Sequence, residues 1–378
     1  MKENTQFLHK AIENKTITWF KNTNEYLVLE NQTADILKRL SKGIPVQKIA
    51  EALSKKLAVP LDKTIDFILD LECKIYLPKT TFTQEIVNDY RDVNTPKTFH
   101  FIKFYQINCI VFKVCYATEH ELSLVHPKFS HLETPALNEN HLFIVFQENN
   151  FIFLFVDNTL IGAWQKKETH FFQGKFSMQI IQKIHKKEEK EWMGVFHASA
   201  VSNGKKAILF LGDSGNGKST SLALLQANGF SCLADDFVPI DAEKQEVYGF
   251  PAAISIKKNS VKPLLPFYPE LKKATEYHYK HFNKIVRYLP TSNSNFYTHL
   301  PCKELIFIKF KKDAQLICTK ISKIKAFEQL IPDSWISPET KNADIFLNWF
   351  TNVTCYQLTY SKTTELVAAV SKIFSDES

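Results

Sequence analysis

The sequence predicts an α/β (α+β) fold: a phosphate-loop domain with a mostly β core, preceded by a small winged-helix-like module. Three observations carry this expectation. The apolar run Ala207–Leu211 leads into Gly212-Asp213-Ser214-Gly215-Asn216-Gly217-Lys218-Ser219 and then into the helical pattern of 220–225. That order is strand, glycine loop, helix. Short β-type runs separated by Asn149-Asn150 and Asp157-Asn158 turns fill much of 99–166. A hairpin and three short amphipathic helices occupy the first 80 residues or so.

The chain has 378 residues, 44% of them hydrophobic and 23% charged, the composition of a globular protein with room for two or three domains. A net charge of +7 spread along the chain gives weak grounds for a nucleic-acid surface and suits an acidic or phosphorylated partner equally. Seven cysteines lie singly, with no CxxC pair, as expected of reduced thiols. The start Met1-Lys2-Glu3-Asn4 lacks an apolar segment, and no run approaches 18 apolar residues. The expectation is a cytoplasmic protein with no signal peptide and no membrane span.

In chain order, 16–20 and 26–29 read as a hairpin, and 33–40, 46–56 and 62–73 as helices with Ile36, Leu37, Leu40, Ile49, Leu53, Ile65 and Ile68 inward. The module is expected to span 1–80, with a polar linker at 81–98. Strands are expected at 99–105, 108–116, 142–147, 150–156 and 160–165, and a helix over 172–186. This 99–190 region carries no catalytic signature and reads as a β-rich frame. A phosphate-loop catalytic domain is expected over 191–378, with a loop-like stretch at 331–343 and a closing helix at 363–374.

The loop has the spacing G-x-x-x-x-G-K-S and holds three of the chain's ten glycines. Glycines let the backbone curl so that successive N–H groups point at a polyphosphate. The positive end of the new helix adds to this. Lys218 supplies a charge for β- and γ-phosphates, and the Ser219 hydroxyl suits Mg²⁺. Gly212, Asp213, Ser214, Gly215, Asn216, Gly217, Lys218, Ser219 and Thr220 are therefore the nucleotide-binding set, with ATP and Mg²⁺ as cofactors.

Asn203-Gly204 reads as a two-residue hairpin turn. In that register residue 202 faces 205 and His197 falls opposite Phe210, at the mouth of the loop. After the loop helix, Asn228-Gly229 is a C-cap. The strand 230–234 then ends on Asp235-Asp236, only 17 residues past Lys218. A right-handed crossover makes this strand a parallel neighbour of 207–211. One carboxylate can hold Mg²⁺ and the other can accept a proton from a hydroxyl nucleophile. Farther on, Lys284 and Arg287 lie on alternate sides of a strand-like segment, and either could reach a transferring phosphoryl group.

His197-Ala198, the Gly212–Ser219 loop and Leu233-Ala234-Asp235-Asp236 together resemble HPr serine kinase/phosphorylase and its relatives. The resemblance covers roughly 192–260. It implies nucleotide held by Lys218 and the loop, Mg²⁺ on Ser219 and Asp235, and Asp236 as base with Asp235 and His197 in support. It also makes a homo-oligomer plausible. The chain departs from that family downstream, where Phe250-Pro251-Ala252-Ala253-Ile254-Ser255-Ile256-Lys257 replaces an arginine-bearing glycine-rich segment. The N-terminal module, through Tyr26-Leu27-Val28-Leu29-Glu30-Asn31-Gln32-Thr33-Ala34 and Ile49-Ala50-Glu51-Ala52-Leu53, resembles PqqD-like domains that bind leader peptides. This implies a peptide, such as a leader segment of a ribosomal-peptide precursor, bound within 16–80 by addition to a strand edge. The expectation is an ATP- and Mg²⁺-dependent serine kinase acting on a peptide or small protein. A nucleotide-switched peptide chaperone and a small-molecule kinase stay open beside it.

Overall fold

Three strands, rather than a hairpin of two, open the chain. In the computed structural model, which describes residues 6–81, 93–279 and 284–376, β1 (Phe7–Ile12), β2 (Lys15–Phe20) and β3 (Glu25–Glu30) form an antiparallel meander with β2 in the middle. Helices α1 (Asn31–Ser41), α2 (Val46–Leu57) and α3 (Leu61–Leu71) follow, close to the expected ranges. A π-turn at Glu72–Tyr76 and α4 (Leu77–Thr80) close the module. Alternation along the strands sends Phe7, Phe20 and Leu29 into one core with Ile36, Leu37, Leu40, Ile49 and Ile68. Most of the expected linker, 82–92, lies outside the described residues.

The β-rich frame contains β4 (Phe101–Ile107), β5 (Ile110–Tyr116), β6 (Glu133–Thr134), β7 (His141–Glu148), β8 (Phe151–Val156) and β9 (Thr159–Gln165), in the order β6-β4-β5-β7-β8-β9. β5 and β7 pair in parallel, so a crossover must join them. Helix α5 (Glu119–Phe129), which has no counterpart in the sequence reading, supplies it and starts on a Thr118/Glu121 capping box. Helix α6 (Thr169–His185) packs aromatic residues on this sheet, with Phe176 and Phe143 centroids 5.2 Å apart.

The loop domain is built on β10 (Trp192–Phe196), β11 (Ser199–Ser202), β12 (Ala207–Leu211), α7 (Lys218–Ala227), β13 (Ser231–Asp235), β14 (Val238–Asp241) and β15 (Glu246–Tyr248). It continues through β16 (Ile254–Lys257), α8 (Lys258–Leu264), β17 (Tyr277–Tyr279), β18 (Lys284–Leu289), β19 (His299–Phe310) and β20 (Ile317–Lys320). Then come α9 (Lys323–Leu330), β21 (Ser334–Ile336), α10 (Thr340–Asn352), β22 (Thr354–Tyr360) and α11 (Thr363–Ser375). The central sheet includes the order β13-β11-β12-β19-β15-β14-β10. The longest strand, β19, lies between β12 and β22 and is parallel to both. A smaller sheet, β16-β18-β17, stands beside it.

Helix α7 ends as expected, in a Schellman motif: Phe230 N–H bonds Leu225 O at 3.1 Å, Gly229 N–H bonds Gln226 O at 3.2 Å, and Gly229 has φ +89°. Leu222 and Leu225 of α7 join Phe210, Ile306, Ile308, Leu358, Leu366 and Val370 in one buried cluster. Each fully buried side chain of this size contributes on the order of 1.5–3 kcal/mol.

Contacts divide the chain into two units: Met1–Val87 with Ile321–Asn352, and Asn88–Lys320 with Val353–Ser378. Residues 321–352, expected inside the catalytic domain and partly as loop, are thus mainly two helices that pack with the N-terminal module. The cause is aromatic packing. Tyr26 of β3 meets Phe327 of α9 and Phe346 of α10 edge-on, with centroids 5.9 and 5.5 Å apart, and Asn24 donates to Ile336 O at 2.8 Å. Among the described residues no helix is long and apolar enough to cross a membrane.

Two half-buried histidines are expected to make the second unit acid-sensitive. Burial lowers the His131 pKa to about 4, and neither ring nitrogen has a hydrogen-bond partner. Burial, with the nearby His299 and Lys187, lowers His185 to about 4 as well. A folded pKa below the unfolded value near 6.5 means that the unfolded chain takes the proton first. Stability is intact above about pH 6.5 and is lost as pH falls toward 4, by at most about 3 kcal/mol per histidine. Urea midpoints measured from pH 7 to 4 are expected to fall, and His131→Asn to flatten that slope.

Candidate active site

The site begins where β12 runs out. The loop turns on Gly212, Gly215 and Gly217, with φ of +126°, +102° and +97°. Other L residues adopt this region only at a cost. Asp213, Ser214, Gly215, Gly217, Lys218, Ser219 and Thr220 line a cavity of about 180 Å³. Gly212 and Asn216 hold the loop in shape instead. The Gly212 carbonyl accepts from the Lys218 ammonium, and the Asn216 carbonyl accepts from Phe310 N–H at 2.9 Å, which fastens the loop to the end of β19.

The route by which the acids reach the loop differs from expectation. β13 is not the parallel neighbour of β12. β11 lies between them, antiparallel to both, so Ser199 stands opposite Phe210 on one side and Asp235 on the other. The hairpin register also shifts by two residues. The Asn203 side chain accepts from Lys205 and Lys206 N–H at 3.0 Å each, which makes a four-residue turn of 203–206. His197 consequently sits in the bend before β11 rather than opposite Phe210, and it lines the loop cavity.

Asp235 is 2% exposed, and three donors meet its carboxylate. Ser199 Oγ donates to Oδ1 at 2.6 Å, Ser219 Oγ to Oδ1 at 3.0 Å, and Ser255 N–H to Oδ2 at 3.0 Å. Burial and the neighbouring Asp236 raise its pKa to about 6 against these hydrogen bonds. Asp236 is different. Its φ of +63° is left-handed, a strained state for an aspartate. On a regular strand two successive residues would face opposite sides, and this turn lets both line one cavity. Burial acts to raise the Asp236 pKa, but Lys128, His197, Lys284 and Lys218 together hold it below the usual carboxylate range. His197 Nδ1 lies 3.9 Å from Asp236 Oδ1.

Beyond Asp236 the space widens into a cavity of about 690 Å³, a size suited to a small ligand or a few residues of peptide. Phe237 and Phe250, with centroids 4.6 Å apart, wall one side. Lys257 donates to Ser214 Oγ at 2.7 Å, and its pKa is lowered by burial and by the Lys284 and Lys218 charges. Three ammonium groups crowded in this way at a glycine loop favour a polyanion. Among the described residues no three His, Cys, Asp or Glu side chains form a metal cluster. Ser219 and Asp235, in contact at 3.0 Å and with a second carboxylate adjacent, still fit Mg²⁺. That ion commonly takes one or two protein oxygens and completes its shell with phosphate and water.

Lys284 and Arg287 are separated by the strand alternation. Lys284 lines both cavities. Arg287 lines neither; it bonds Leu271 O and Glu276 Oε1, the latter at 2.9 Å, so its expected place at a transferring group is corrected. Lys128, Ser199, Ser255 and Lys257 are site residues that the sequence reading missed. Lys257 carried a usable signal, a cation closing an apolar strand. Ser255 acts through its backbone, and Lys128 comes from a distant helix.

Gly217→Ala should weaken binding of inorganic triphosphate by about tenfold or more, because a Cβ there meets Phe310 Cβ at 3.3 Å in addition to the backbone strain. Gly215→Ala, with nothing within 4 Å, should lose less. Titration calorimetry on both variants checks the order, and equal losses would refute the packing argument. The chain matches no protein-family model and no curated protein.

Proposed function

We propose that this chain is an ATP- and Mg²⁺-dependent kinase, related in its loop domain to HPr serine kinases, that phosphorylates a serine-type hydroxyl on a peptide or small protein. The supporting observation is the junction at Asp236. The cavity lined by Lys218, Lys257 and Lys284 and the larger cavity beyond it share Asp236 and His197. A γ-phosphoryl group and an acceptor hydroxyl would meet there.

The roles follow from the contacts. Lys218, Lys257 and Lys284 bind the triphosphate oxygens and offset charge that builds up during transfer. Ser219 and Asp235 would hold Mg²⁺, which supplies further neutralisation of the β- and γ-phosphate oxygens. Asp235, its oxygens already bonded to Ser199, Ser219 and Ser255, is a poor choice of base. Asp236 is ionised and side-exposed by 22%, so it can accept the hydroxyl proton. The hydroxyl oxygen bonds the γ-phosphorus, the bond to the bridging oxygen breaks, and ADP leaves with that electron pair. His197 orients or neutralises Asp236.

The N-terminal unit fits a peptide-binding role of the PqqD type, with one revision. β2 is the central strand, so an added peptide strand would pair with β1 or β3. Tethering the acceptor in this way raises its effective concentration at a weak site.

The test is transfer of radiolabelled γ-phosphate to serine-containing peptides. Asp236→Asn should reduce transfer by roughly 10²–10⁴-fold while MgATP binding persists, and Lys218→Ala should abolish both. Tight MgATP binding with no transfer to any peptide would favour a nucleotide-switched chaperone. Transfer only to small alcohols would favour a small-molecule kinase.

A further inference from the structure

The far wall of the larger cavity comes from the 93–190 frame, through Lys128 at the end of α5 and His170, Gln173 and Ser177 of α6. This wall is rigidly built. Gln173 donates to Leu124 O at 2.7 Å, which joins α6 to α5, and Ala253 N–H bonds Lys128 O at 2.8 Å, which joins α5 to the chain entering β16. Phe129 packs on Phe250 and Phe176 with centroids 6.0 and 6.1 Å away. Lys128 is therefore a half-buried cation on a fixed frame.

Its ammonium makes no hydrogen bond and no ion pair within 4 Å among the described residues, although Asp236 feels its charge. Lys128 lines the larger cavity but not the loop cavity, whereas Lys257 and Lys284 line both and Lys218 lines the loop cavity. Among the described residues, the carboxylates that line the larger cavity are Asp235 and Asp236. A cation set on the acceptor side of the proposed base, with no hydrogen-bonded or ion-paired carboxylate among the described residues, is arranged to hold a negative group on the acceptor.

We propose that the frame is an acceptor-recognition element, and that Lys128 selects a peptide in which the reacting serine is flanked by an aspartate or glutamate. This inference rests on the phosphotransfer reading for the word acceptor, but the binding preference that it asserts can be measured without transfer. The flanking carboxylate pairs with Lys128 across the cavity while the serine hydroxyl reaches Asp236. A peptide with a neutral residue at that position forfeits the pair, and a lysine there is repelled.

The probes are fluorescein-labelled peptides that differ only in Asp, Asn or Lys beside one serine, bound to the full chain and, separately, tested for phosphate transfer from MgATP. The wild-type chain should bind the Asp peptide about tenfold more tightly than the Asn peptide. Lys128→Ala should bring that ratio to about one, Lys128→Glu should invert it toward the Lys peptide, and Lys128→Arg should restore it. A ratio that Lys128→Ala leaves unmoved, with only the acid limb of the rate–pH profile shifted, would overturn the inference and leave Lys128 as a charge that keeps Asp236 ionised. An Asp preference that depends on Lys128 but comes without transfer would uphold it and defeat the kinase reading. Transfer without an acid preference would do the reverse.

Discussion

The carboxylate of Asp235 is the interaction on which the rest of the site depends. It ends β13, yet its hydrogen bonds come from β11, from the first turn of α7 and from the backbone of β16. One buried anion thus joins two strands of the central sheet, the helix after the glycine loop and the smaller sheet that carries Lys257 and Lys284. Burying a carboxylate costs several kcal/mol unless donors replace the lost water. Three donors do so here. Burial and the adjacent Asp236 charge still push the group toward protonation against these donors. The fold therefore maintains at this point a concentration of negative charge that a divalent cation would relieve, ringed by lysines that a polyphosphate would relieve.

The loop and the acid pair were legible because their signals are local. Gly212 to Ser219 is a contiguous segment, and Asp235-Asp236 follow at a strand end after one short helix. The hairpin pattern puts His197 at the mouth of the loop, but in a register two residues from the observed one. Asn203-Gly204 has the pattern of a complete two-residue turn, whereas the Asn203 side chain caps two further N–H groups. The insertion of β11 between β12 and β13 was invisible for a related reason. A short strand–helix–strand succession favours parallel neighbours, and only pairing across the sheet reveals the antiparallel strand between them.

What was not legible depends on tertiary contact. The alternation of Lys284 and Arg287 shows that they face opposite ways but not which of them faces the site; Glu276, pairing with Arg287 at 2.9 Å, settles it. Lys128 sits about a hundred residues before Asp236 on a helix that the sequence pattern did not reveal. Its proline and two histidines break the amphipathic rhythm, and its burial is set by the sheet on which it packs. Residues 321–352 belong to the first unit, yet nothing in their composition tells a core helix of one domain from a core helix of another.

That last feature bears on how the gene can be divided. The chain leaves the second unit after β20 and re-enters it at β22, and these two strands are antiparallel partners, so the excursion starts and finishes at neighbouring points. The first unit is thus woven into the chain twice, once from its start and once from its interior. A cut in the 82–92 connection would not release it whole. The shortened product would keep α9 and α10 without the sheet they cover, baring the rings of Phe327 and Phe346 that meet Tyr26. A clean boundary for this protein runs through three places in the chain rather than one.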